Sequence, residues 1–84
     1  MNIEDTLAER HKTHGEFKYH AVISQHLKKT IRYYEGHNEL DPDQLEALEM
    51  IAHKIARILN GNPNVHDHWH DIAGYATLVA ERLK

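Results

Sequence analysis

The chain has 84 residues, no cysteine, and a formal charge of −3 from ten Lys+Arg and thirteen Asp+Glu, which makes it one domain near the size where a lone hydrophobic core is marginal. Disulfide staples and thiolate zinc sites are excluded, and scattered basic residues argue against duplex nucleic acid as a partner. With no basic-then-apolar leader and no apolar run of membrane-spanning length, the expectation is a protein without a membrane partner, in a reducing cytoplasm.

The first element is a short, weakly amphipathic helix over about 2–13, with Ile3 and Leu7 one turn apart. After His14-Gly15-Glu16-Phe17, a second helix over about 19–35 carries Val22, Ile23, Leu27, Thr30, Ile31 and Tyr34 at three- and four-residue spacing, and Gly36 ends it as a C-terminal cap. The third begins at Asp41-Pro42 with Gln44 three residues after the cap, a capping-box pattern with proline in the first helical position. It runs to Leu59, where Asn60-Gly61 and Pro63 stop it. Its apolar residues Leu45, Leu48, Ile51, Ala52, Ile55, Ile58 and Leu59 form a face too broad for one neighbour, which predicts the central helix.

The fourth helix, over about 66–83, starts near Asn64 or His66 and shows a narrow stripe of Trp69, Ile72, Ala76, Val79 and Leu83. Such a seam packs along another helix at a shallow angle, and Gly74 with Ala73, Ala76 and Ala80 would admit a close neighbour. No segment alternates as a strand does. The reading is an all-α antiparallel bundle of about four helices that buries Leu48, Ile51, Ile55, Ile72, Ala76 and Val79. A core this small with so wide a central face predicts a homo-oligomer, at least a dimer.

Three clusters could carry chemistry. Glu46, Glu49 and His53 project from one side of the third helix; they serve either as a solvated flank, with Glu49 supporting His53, or as ligands. Lys54 and Arg57 either complement the helix dipole or clamp phosphate, a point charge beside a bidentate fork. In His66-Asp67-His68-Trp69-His70-Asp71, carboxylates Asp67 and Asp71 suit Mg²⁺ or Mn²⁺, and imidazoles His66, His68 and His70 suit Zn²⁺ or Ni²⁺. In the alternative reading, Asp67 is a first-turn acid of a cap begun by Asn64, and the histidines are exposed. Asp71, at the border of the apolar stripe, needs a partner. Nine histidines in all make the charge sensitive to pH between about 7 and 6.

Leu45-Glu46-x-x-Glu49 followed by His68-x-x-Asp71-Ile72 resembles the all-α nucleoside triphosphate pyrophosphatase (MazG-like) superfamily, whose pattern is Glu-Glu-x-x-Glu and then Glu-x-x-Asp. Leu45 and His68 replace two of its acids.

Three segments are similar to small uncharacterised phage and prophage proteins, and to a domain associated with nucleotide modification in phages. They are Arg10-x-x-Thr13-His14-Gly15-Glu16-Phe17, Glu46-Ala47-Leu48-Glu49-Met50-Ile51-x-x-Lys54-x-x-Arg57 and Asp67-His68-Trp69-x-Asp71-Ile72-x-Gly74-Tyr75. These resemblances imply a nucleotide-linked role in a bacterial host cytosol. In that scheme Glu46, Glu49 and Asp71, with His68 and Asp67 nearby, hold Mg²⁺ or Mn²⁺, and a metal-activated water releases pyrophosphate. Lys54 and Arg57 neutralise phosphates, and Trp69 or Tyr75 stacks on a base. The rival reading is a non-enzymatic helical oligomer in phage–host interaction, its motif residues forming ion pairs between helices.

Overall fold

The computed structural model describes residues 2–37 and 39–84. Four helices follow in order: α1 (Ile3–His14), α2 (Phe17–Glu35), α3 (Pro42–Asn60) and α4 (His66–Arg82). Local chemistry starts two of them. Asn2 Oδ1 accepts the Asp5 N–H at 2.9 Å to open α1, and the Asp41 N–H donates to Gln44 Oε1 at 2.8 Å behind Pro42 to open α3. At the end of α4, Arg82 ties that helix back to the start of α3 through Asp43 and Asp41.

α3 is the central element, with α2 packed on one side and α4 on the other, while α2 and α4 do not pack on each other. The pairs Lys54–Asp71 and Arg82–Asp43 show that α4 runs antiparallel to α3. His20–His53 and Arg32–Glu49 show the same for α2. The result is a layer of three helices, 41 × 26 × 23 Å overall, with α1 laid across one end.

The interior differs from the one expected. Ala47, Ala52 and Ala56 are the buried apolar residues among those described, and His20, Ser24, Lys54 and His68 are buried beside them. Ile51, Ile55, Ile72 and Val79 are half-buried, whereas Leu48 and Ala76 are exposed, as are Val22, Thr30 and Tyr34 of the α2 stripe. The physical reason is the two-sided packing of α3. Its neighbours meet it on opposite sides, along the Glu49 line and along the Lys54 line; small residues there let the backbones approach, and the large apolar line between them is left open.

On α4, His68 turns inward and Trp69 outward, its Nε1–H donating to the Pro63 carbonyl at 2.8 Å. The small residues Ala73, Gly74, Ala76 and Ala80 are exposed, with nothing within 4 Å of where a Gly74 Cβ would stand. Gly36 caps α2 in a right-handed conformation. Val65, not Asn64, is the N-cap of α4, and Asn64 donates its N–H to Asn62 Oδ1 instead.

Two turns lock together where α1 crosses. The Asn60 side-chain amide donates to the carbonyls of His14 (3.2 Å) and Glu16 (2.9 Å), and the Asn62 N–H donates to Thr13 O at 3.1 Å. Gly15, at φ 76° and ψ −170°, is in a region essentially reserved for glycine, and a Cβ there would fall on the Asn60 carbonyl. A Cβ on Gly61 would lie 2.5 Å from Thr13 O. Both contacts are with backbone, which cannot swing aside. Gly15→Ala and Gly61→Ala are each expected to destabilise the chain by about 2–4 kcal/mol. Gly36→Ala, with nothing within 4 Å, is expected to be neutral; urea unfolding of the three side by side measures the difference.

Candidate functional site

The crossing of α1 over α2 and α3 encloses a cleft of about 280 Å³, lined chiefly by Arg10 and His14 of α1, Phe17 and His20 of α2, and His53 and Arg57 of α3. Helical spacing assembles it. Arg10 and His14 are one turn apart, as are His53 and Arg57, so each helix presents a cation and an imidazole to the same space. Phe17, at the first turn of α2, is 77% exposed and its ring stacks on His20 with centroids 6.0 Å apart. His20 meets His53 edge-on at 4.5 Å, and His14 meets His68 at 5.0 Å.

The cleft is cationic and lacks a carboxylate: neither Asp nor Glu lines it. Burial, and then the charge of Arg10, lower the Arg57 pKa, while the Asp71 carboxylate, itself paired with Lys54, offsets part of this; two guanidinium groups thus face one volume whose lining holds no carboxylate. The imidazoles respond in the same sense. His14 and His53 are each pushed down to about 4, first by burial and then by the charge of Arg57; His20 is lowered for the same reasons. All three are neutral at pH 7. His20 is 4% exposed and its Nδ1 has no hydrogen-bond partner among the described residues, a buried polar atom left over in the cleft wall.

The residues singled out from sequence are dispersed. Glu46 is exposed; Glu49 accepts a two-pronged hydrogen bond from Arg32, at 3.1 and 3.3 Å. Asp71 is paired with Lys54 at 2.9 Å, and the Lys54 hydrogen bond lowers its carboxyl pKa. Lys54 is thus a buried structural cation, while Arg57 faces the cleft. Asp67 lies on the surface 3.6 Å from His66 Nδ1. His66 and His70 stack one turn apart, but His68 points the opposite way, its Nε2 3.3 Å from Thr13 O. Among the described residues of one chain, no three His, Asp or Glu side chains gather closely enough to hold a metal ion. Tyr75 is half-buried, whereas Trp69 lies on the other side of α4 from Asp71 and Tyr75.

Arg10, His14, Phe17 and His20 were missed as site residues. A signal for two of them existed in the Arg10/His14 pair, one turn apart and matched by His53/Arg57, but only the chain crossing brings the pairs together.

The family described as a domain of unknown function (DUF6378) matches residues 4–83. No curated protein and no solved structure matches the chain.

Two outcomes follow. The folded chain resists protonating His14 and His53 until about pH 4, whereas the unfolded chain takes up those protons near 6.5. The stability that these two imidazoles contribute should therefore be full above about pH 6.5 and fall as pH drops towards about 4; below that the lowered carboxyl pKa values of Asp71 and Asp43 continue the loss. Denaturant midpoints across pH 4–8 measure this, and His53→Gln should flatten the slope. Separately, Asp71→Asn strands the buried Lys54 ammonium and should lower the melting temperature; adding Lys54→Met should restore part of the loss.

Proposed function

We propose that this chain, which belongs to the DUF6378 family, binds a phosphorylated nucleotide in the cleft beneath α1. The observation that carries the reading is the carboxylate-free wall in which Arg10 and Arg57 approach one another. Two guanidinium groups held together without an acid are stabilised by an anion, and phosphate fits their forked donors. Phe17 offers an exposed ring for a base, and the neutral imidazoles of His14, His20 and His53 offer donors and acceptors for sugar and base edges. Arg57 keeps the phosphate role expected from sequence; Lys54 passes it to Arg10.

Hydrolysis to monophosphate and pyrophosphate would need Mg²⁺ or Mn²⁺ at Glu46, Glu49 and Asp71. Two of these acids must first leave Arg32 and Lys54. Binding needs no such rearrangement, so the proposal is a nucleotide-binding protein. The second reading, a non-enzymatic helical interaction protein, is favoured by those same two ion pairs, which give the motif acids a structural use.

Thermal shift and calorimetric titration with nucleoside mono- and triphosphates, with and without millimolar Mg²⁺, test the proposal. A nucleotide should raise the melting temperature without metal. Arg10→Gln and Arg57→Gln should each weaken binding about 10- to 100-fold while leaving the empty protein as stable as before or more so. Asp71→Asn, which removes a negative charge from the field at Arg57, should not weaken binding. Pyrophosphate released only with Mg²⁺ would add the hydrolytic step. No shift with any nucleotide at millimolar concentration, or a shift indifferent to Arg57→Gln, would overturn the proposal in favour of the interaction protein.

A further inference from the structure

The face of the three-helix layer turned away from the cleft is largely apolar and carries no charged side chain on the lines described next. On α3, Leu48, Ile51, Ile55 and Leu59 follow one line between the sides that meet α2 and α4, opposite His53 and Arg57. α2 adds Ile23, Thr30 and Tyr34 on its flank away from Arg32, and α4 adds Trp69, Ile72 and Ala76 on its flank away from Asp71. None of these lines contains Asp, Glu, Lys or Arg, whereas the cleft side carries the charges.

The surface left open has a measurable excess. The chain exposes 6325 Å², while a folded monomer of 9.8 kDa is expected to expose about 5,200 Å². The difference, roughly 1,100 Å² per chain, exceeds the roughly 800 Å² per partner of a standard interface and falls at the lower end of the range for obligate homodimers. The radius of gyration of 14.4 Å, against about 12 Å for a compact domain of this length, agrees with a single open layer of three helices to which α1 is loosely added. Leu59 at 66% exposed and Trp69 at 56% are residues that a monomer gains nothing by presenting to water.

We infer that two copies of this chain pack through this face, layer on layer. Each copy supplies the apolar cover the other lacks, and a two-fold arrangement lets the same patch serve both. Leu48, Ile55 and Leu59 of α3 form the centre of the contact; the α2 and α4 lines form its sides. Because the cleft lies on the opposite side of the layer, both clefts stay open in the dimer. The inference is independent of what the cleft binds.

Sedimentation equilibrium and light scattering should give twice the 9.8 kDa chain mass at micromolar concentration, and the melting temperature should rise with protein concentration. Leu48→Lys and Leu59→Lys, at positions already exposed in a single chain, should each raise the dimer dissociation constant at least about tenfold. Leu78→Lys, also exposed but on the cleft-side flank of α4 with Gly74, should leave it unchanged. A wild-type chain with the monomer mass at high micromolar concentration and a concentration-independent melting temperature would overturn the inference. A dimer weakened equally by Leu78→Lys, or indifferent to both α3 variants, would overturn it too.

Discussion

The crossing of two glycine turns is the constraint on which the rest of this structure depends. Gly15 and Gly61 let the corner between α1 and α2 sit against the corner between α3 and α4 with backbone touching backbone. Asn60 fastens the junction by donating to carbonyls on both sides of Gly15, and Asn62 adds a main-chain bond to Thr13. A side chain at either glycine would push the corners apart. The consequence for function is direct, because α1 has little other packing. Its attachment at that corner brings Arg10 and His14 over His53 and Arg57 and so creates the cleft.

The interior around that junction is narrow and polar. Alanines on α3 bring α2 and α4 close, and the remaining space is taken by imidazoles, the Ser24 hydroxyl and the Lys54 ammonium. Lys54 is compensated by Asp71, and His68 lies against Thr13 O, but His20 Nδ1 and Ser24 Oγ have no partner among the described residues. Such an interior joins one ion pair and one imidazole contact to apolar side chains that are only half-buried, among them Ile51, Ile55, Ile72 and Val79. It leaves the apolar burial to be completed elsewhere, on the open face between the helices.

The acidic motif shows how a short spacing pattern is resolved by its surroundings. Glu46 and Glu49 sit near the start of α3 and Asp71 near the start of α4. In an antiparallel pair those ends lie at opposite ends of the contact: Asp43 meets Arg82, whereas Lys54 meets Asp71. Within one chain the carboxylates are therefore separated along the helix axis: Glu49 takes Arg32, Asp71 takes Lys54, and Glu46 stays exposed. The spacing recorded which residues were near each other along the chain, and it held no information on the relative shift of the two helices.

The sequence by itself determined the elements. Caps and breakers at Asn2, Gly15, Asp41-Pro42 and Gly61-Pro63 act over a few residues, and four helices with α3 at the centre follow from them and from the three- and four-residue apolar spacing. It also contained the apolar stripes on α2, α3 and α4, because periodicity is a local property. Which way those stripes point was decided only by the tertiary structure. Small residues on opposite sides of α3 draw in α2 and α4, and that approach turns Leu48 and Trp69 outward and His20, Lys54 and His68 inward. The cleft was likewise invisible, since Arg10 and Arg57 are distant in the chain and meet only through the glycine crossing. Helix formation is governed by neighbours in sequence, whereas the choice of buried face and the assembly of a site are governed by backbone approach between segments far apart in it.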